Sequence, residues 1–430
     1  MSRTFSSLAI ANYRLFFVGA LISNIGTWMG RVAQDWLVLT DLTPHSSTAL
    51  GTVTGLQFLP FLLLAPVTGV VADRFPKRRI LFITQGLLGV TMGLNAALVL
   101  AGTVQLWHVY VLAFLTGCAT AFDNPARQAF VSEMVGQDHV ANAVGLNSAS
   151  FNFGRLIGPG VAGLIIAWVG VGPALAVNAV SFGCPIVALA LMDVSRLATP
   201  PPARGRGRLR EGLSYVRHRP DLIMIMFLVF VLGTFGMNFQ LSNAVMATQV
   251  FHRGPTEYGV LGSIMAIGSL AAALLTARRP HPRLRILLGA LAAFAASTFV
   301  LSLAPTYAVF AVLLVPVGLS ALTAMTTANA IVQLTTTPQM RGRVMGLYMT
   351  IFIGGTPVGS PLIGRVGDTL GPRWMILVGS IAVALSLVVV AVYFVRNENL
   401  RVSITRSRTG WISVRTGPVA DVGQGPEAAR

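Results

Sequence analysis

The stretch 145-GLNSASFNFGRLIGPGVAG-163 decides how the whole chain is read. It opens an apolar run that continues through 164-LIIAWVGVG-172, yet it holds an arginine, a proline and a set of glycines. Gly154, Gly158 and Ala162 recur every four positions, which on a helix makes one smooth stripe where a second backbone can come close. Pro159 removes a backbone donor and favours a bend. Arg155 lies about 22 Å along a helix that starts near residue 140, at 1.5 Å per residue. An arginine at that depth in a bilayer costs at least a few kcal/mol unless it faces a cavity or a counter-charge. Arg155 therefore reads as a functional residue that faces a cavity or a counter-charge.

The rest of the chain supplies the membrane. Of 430 residues, 54% are hydrophobic and 10% charged, too few charges to cover a soluble surface. Twelve apolar runs are near 14–39, 49–72, 80–102, 106–129, 140–168, 172–193, 222–248, 257–277, 285–304, 307–334, 343–366 and 373–395. Each is long enough to cross a hydrocarbon core of roughly 30 Å. The expected fold is an all-α membrane protein. No cleavable signal peptide is expected, because the first run follows Arg14 and is too long for one. Cys118 and Cys184 fall within runs and read as small buried hydrophobes, so neither disulfide nor metal is expected. No nucleotide-binding loop or nucleophile motif is visible, so no enzyme and no cofactor is expected, and uphill transport would draw on an ion gradient.

The net charge of +17 would suggest nucleic acid in a soluble chain. Its distribution suggests topology instead. With the N-terminus in the cytoplasm, only Arg253, Arg365 and Arg373 fall in outer segments, and Arg31 and Arg155 within helices; every other Lys and Arg is inner. By the positive-inside rule both termini are cytoplasmic, in an inner membrane, with the lipid bilayer and no nucleic acid as partner.

The chain divides in two. Residues 1–194 make an N-terminal six-helix bundle, 195–221 a cytoplasmic Pro/Arg/Gly linker, 222–395 a second six-helix bundle, and 396–430 a disordered cytoplasmic tail. A shift of 201 residues sets 145–170 on 346–371 and pairs Gly145 with Gly346, Leu146 with Leu347, Phe151 with Phe352, Gly154 with Gly355, Gly158 with Gly359, Gly163 with Gly364 and Gly170 with Gly371. Two parallel repeats with a site between them are the architecture of a secondary transporter.

Gly145, Gly154, Gly158-Pro159 and Gly163 are spaced as in G-x8-G-x3-G-P-x2-G-G, with Ala162 at one glycine position. This resembles the fifth-helix antiporter motif of drug exporters in the major facilitator superfamily. The segment 69-GVVADRFPKRR-79 is similar to that superfamily's cytoplasmic loop motif, with Gly69, Asp73, Arg74, Lys77 and Arg78 in place and Pro76 where glycine is usual. With 120-TAFDNPARQAFVSEMV-135, these segments resemble the drug:proton antiporter branch that includes macrolide and enterobactin exporters. The resemblance implies two rocking bundles, with the glycine stripe sealing one half against the other. Asp73 is expected to accept backbone N–H groups at the start of helix eleven near Arg343, latching the outward-open state. The basic loop 278-RRPHPRLR-285 has no matching Asp.

For proton coupling the candidates are Asp35 and Asp123, the only acids well inside helices, with Arg155 and Arg31 as counter-charges. Asp35 follows Arg31 by four and shares its face. Trp28, Trp36, Gln57, Phe58, Phe151, Asn152, Phe239, Asn243, Tyr348 and Phe352, with Asn24, Gln34 and Gln333, are candidate substrate contacts. A broad apolar lining with few polar anchors suits bulky hydrophobic or amphiphilic compounds, drug-like or siderophore-like, exported by a monomer in exchange for protons. An importer or lipid flippase of the same fold, or a receptor that moves nothing, stays open as an alternative.

Overall fold

The structure is a computed structural model that describes residues 3–197, 209–277 and 282–397. The expected tail from 398 onward, residues 198–208 of the linker and 278–281 of the basic loop lie outside the described residues. Among the described residues twelve helices are long and apolar enough to cross a membrane: α1 (Ala11–Asp41), α2 (Ser47–Arg74), α3 (Lys77–Leu100), α4 (Leu106–Val135), α5 (Val140–Val169), α6 (Val171–Leu191), α7 (Pro220–Val250), α8 (Pro255–Thr276), α9 (Leu284–Ser302), α10 (Tyr307–Thr335), α11 (Pro338–Leu370) and α12 (Pro372–Tyr393). They match the twelve runs one for one. No strand is present among the described residues. Large side chains such as Trp168, Val180 and Val312 stand exposed, as lipid-facing groups do.

The helices pack as two bundles, α1–α6 and α7–α12. Local chemistry sets their ends. Ser46 accepts from the Ala49 N–H to start α2, and Thr306 accepts from Val309 to start α10. Gly170 and Gly371, paired by the 201-residue shift, end α5 and α11 with φ of 87° and 101°, where any side chain would be strained. The repeat shows elsewhere too. The last turns of α1 and α7 both widen to i→i+5 bonding, over Leu37–Asp41 and Met246–Val250.

The bundles meet where α2 crosses α11 and α5 crosses α8. Both crossings lie at the end of the molecule away from the termini, called here the far end. A Cβ on Gly51 would run into the Ser360 carbonyl, and one on Gly259 into the Pro159 carbonyl. Gly163 abuts Pro255 and Thr256, and its repeat mate Gly364 abuts Ser47 and Thr48. Both crossings therefore use small residues to bring backbones into contact. At the end that carries the termini, Gly69, Gly145, Gly342 and Gly346 have nothing within 4 Å of a Cβ position. The molecule is closed at the far end and parted at the other.

Candidate transport site

Asp35 lies just before the widened end of α1, which begins at Leu37, and is only 5% exposed. Its Oδ2 accepts hydrogen bonds from Gln240 Nε2 of α7 at 2.6 Å and Tyr258 Oη of α8 at 2.7 Å. One carboxylate oxygen of the first bundle thus holds two donors of the second. Trp36 stacks on the Tyr258 ring, centroids 6.5 Å apart and planes 22° apart. This clasp sits under the far-end closure.

One turn closer to the termini, Arg31 places its guanidinium carbon 5.0 Å from the Trp28 ring centroid and 5.8 Å from that of Phe58. Arg155 reaches the same indole from α5, at 5.7 Å. Phe151 meets Trp28 edge-on at 5.7 Å. The sequence expectation paired Arg155 with Asp35 or Asp123; among the described residues neither Arg155 nor Arg31 has a carboxylate within ion-pair distance. Asp35 is held instead by donors of the opposite bundle, which the sequence spacing does not reveal.

Asp123 is elsewhere. Its Oδ1 accepts from Thr84 and Gln85 of α3, and its Oδ2 pairs with Arg127 at 2.9 Å, all inside the first bundle. The aromatic and amide candidates also separate. Asn152 donates to Ser148 of its own helix, while Gln57 precedes Phe58 on α2. Phe239 packs edge-on to Phe294, Asn243 is buried, Tyr348 turns its hydroxyl toward the Met325 carbonyl, and the Phe352 carbonyl closes on Gly233, all within the second bundle. The structure gathers Trp28, Arg31, Phe58, Phe151 and Arg155 into one cluster beneath Asp35 and Trp36.

The gating candidates divide as well. Gly154 and Gly158 pack on Asn24, Ile25 and Trp28 of α1 in their own bundle; Pro159 and Gly163 cross to α8, as does the Leu156 carbonyl, which accepts from Ser263. Asp73, Arg74 and Gly69 are exposed. Arg78 donates to the Leu189 carbonyl at 2.7 and 2.9 Å, tying α3 to α6. Arg343, expected near Asp73, is paired at 2.6 Å with Glu211 of the short linker helix Leu209–Arg217.

A latch missed from sequence holds the far end. Asp368, in the last turn of α11, accepts from the backbone N–H of Ser47 at 2.6 Å and of Thr48 at 3.0 Å, and from the Ser46 hydroxyl at 3.0 Å. It caps α2 across the bundle boundary, where a helix N-terminus favours an anion. The apolar run stopped at 366, but α11 continues to Leu370 and carries Asp368 with it. Asp368→Asn removes charge-assisted bonds worth about 1–3 kcal/mol. A cysteine placed at Thr256, beside Gly163, should then be alkylated from the far side roughly tenfold faster; an unchanged rate would deny Asp368 that role.

A family description, transmembrane secretion effector, matches residues 2–414. A staphyloferrin A transporter of Staphylococcus aureus is 24% identical over 405 residues, covering 92% of this chain and 99% of that one. The multidrug efflux pump Tap of Mycolicibacterium fortuitum is 28% identical over 403 residues, covering 90% and 96%. The crystal structure of the nucleoside transporter NupG superposes with a TM-score of 0.69 at 12% identity over 89% of this chain and 99% of that one, a likeness of fold.

Proposed function

We propose that this chain, which belongs to the transmembrane secretion effector family of the major facilitator superfamily, exports amphiphilic compounds of drug-like or siderophore-like size from the cytoplasm in exchange for protons. The observation that carries the reading is the Asp35 clasp: a buried carboxylate on one bundle gripping two donors on the other. Protonation of Oδ1 leaves Oδ2 its lone pairs but removes the negative charge, and hydrogen bonds to a neutral acceptor are about half as strong. A proton thereby loosens the far-end closure. The resemblance to a siderophore transporter and a multidrug pump supports the cargo class.

With both termini cytoplasmic in an inner membrane, as the basic residues suggest, the parted end faces the cytoplasm and the closed end faces out. Residues 1–194 and 222–395 then rock as two bodies of a monomer, joined by 195–221. The ionised clasp holds the far end closed until Asp35 takes up a proton. In inverted vesicles, an imposed proton gradient should drive accumulation of amphiphiles from a panel carrying either charge, and a protonophore should abolish it. A panel whose distribution ignores the gradient would sink the proposal.

A further inference from the structure

The geometry points to Arg31 and Arg155, together on the Trp28 indole, as the seat of an anionic group of the cargo, a carboxylate or phosphate borne on an apolar body. The inference rests on reading this cluster as the cargo surface. The donors there are many and the acceptors few. Two guanidiniums lie 5.0 and 5.7 Å from one ring centroid. Arg31 Nε and Trp28 Nε1 are both buried with no hydrogen-bond partner among the described residues. Buried donors are almost always satisfied in native proteins, so an acceptor belongs at this place.

Among the described residues no carboxylate lies within ion-pair distance of either guanidinium. Asp35, whose charge reaches Arg31 one turn away, gives its Oδ2 to Gln240 and Tyr258; Asp123 is engaged by Thr84, Gln85 and Arg127, and Glu133 lies 3.2 Å from Lys77. Two like charges beside each other at this depth repel and are poorly solvated, and an arriving anion relieves both penalties at once. A guanidinium also offers the forked donor geometry that carboxylates and phosphates accept. Phe58 and Phe151 stand beside the cations, so the anionic head would carry an apolar body against the rings. A cationic amphiphile would meet two positive charges against the single acid Asp35. With an anionic cargo, expulsion of the anion and entry of a proton both carry positive charge inward, so a membrane potential negative inside drives each step.

The test uses the full chain in nanodiscs of phosphatidylcholine alone and reads binding without any gradient. Carboxyfluorescein, an aromatic anion, should bind, and ethidium, an aromatic cation of similar size, should bind more weakly. Arg155→Gln and Arg31→Gln should each weaken carboxyfluorescein about tenfold or more, while Arg155→Lys, which keeps the charge, should retain most of the binding. Melting temperatures of the variants separate loss of the seat from loss of fold. A second set of discs containing phosphatidylglycerol distinguishes the sources of the anion. Competition by that lipid marks a lipid headgroup as occupant, and indifference to it marks a free amphiphilic anion; either outcome upholds the seat. Carboxyfluorescein binding that is no stronger than that of ethidium, or that ignores both glutamine substitutions, overturns it. Proton-driven export could survive that result, and the seat could survive a failure of proton coupling, so the two readings fall separately.

Discussion

Asp35→Asn should reduce gradient-driven transport to the level of vesicles that lack the protein while leaving cargo binding and energy-independent cargo exchange in place. The separation follows from where the hydrogen bonds fall. Gln240 and Tyr258 both donate to Oδ2, and the asparagine carbonyl can occupy that position and accept both. The amide nitrogen then stands where a proton would reside on Oδ1. The variant is a permanent imitation of protonated Asp35: the clasp survives at neutral strength and cannot titrate. Two bonds that each lose about 1 kcal/mol shift the balance between far-end-closed and far-end-open states by ~2 kcal/mol, on the order of thirtyfold. The cysteine at Thr256 should therefore react faster from outside in the Asp35→Asn background, by about that factor. Gln240→Leu or Tyr258→Phe should also open the far end but keep a titratable acid, so partial coupling should remain. A gradient-responsive Asp35→Asn protein would remove Asp35 as the proton site.

How much of this was legible before the structure depended on whether a feature is local. The twelve spans and the internal repeat that pairs Gly170 with Gly371 are properties of contiguous residues, and periodicity with composition reveals them. Asp35, Arg31 and Arg155 stood out because a charge inside an apolar run needs an explanation. Their partners did not. Gln240 and Tyr258 lie 205 and 223 residues from Asp35, and nothing in a single sequence joins positions so far apart. The missing pairing of Arg155 has the same origin, since a charge count identifies candidates but the helix orientations decide which of them meet. One overlooked signal was available. A glycine stripe that brings backbones together needs small residues opposite it, and Gly51 with Gly55 and Gly259 with Gly262 lie in the first turns of α2 and α8. Asp368 could have been found likewise by extending α11 to Gly371, the residue that ends it.

The glycines also supply the prediction with the largest structural effect, because they distinguish the two ends of the molecule. Gly259→Val places a side chain on the Pro159 carbonyl, and Gly51→Val places one on the Ser360 carbonyl. Both obstacles are backbone of the opposite bundle, so no rotamer change relieves them, and overpacking of 1–3 kcal/mol or more falls wholly on the far-end-closed state. Either variant should lose transport and be trapped open outward, with the cysteine at Thr256 fully reactive from outside and membrane abundance preserved. Gly145→Val and Gly346→Val meet nothing within 4 Å in this state. They lie at the parted end, where the bundles must approach when the molecule reverses, so these variants should also lose transport but with Thr256→Cys shielded from outside. Two glycine pairs would then give one transport phenotype and opposite labelling patterns. Identical labelling in all four variants would mean that the crossings only hold the bundles together and that the rocking motion uses other surfaces; opposite labelling would place the moving boundary at α2–α11 and α5–α8, with Asp35, Gln240 and Tyr258 as the contact a proton has to weaken before the far end can part.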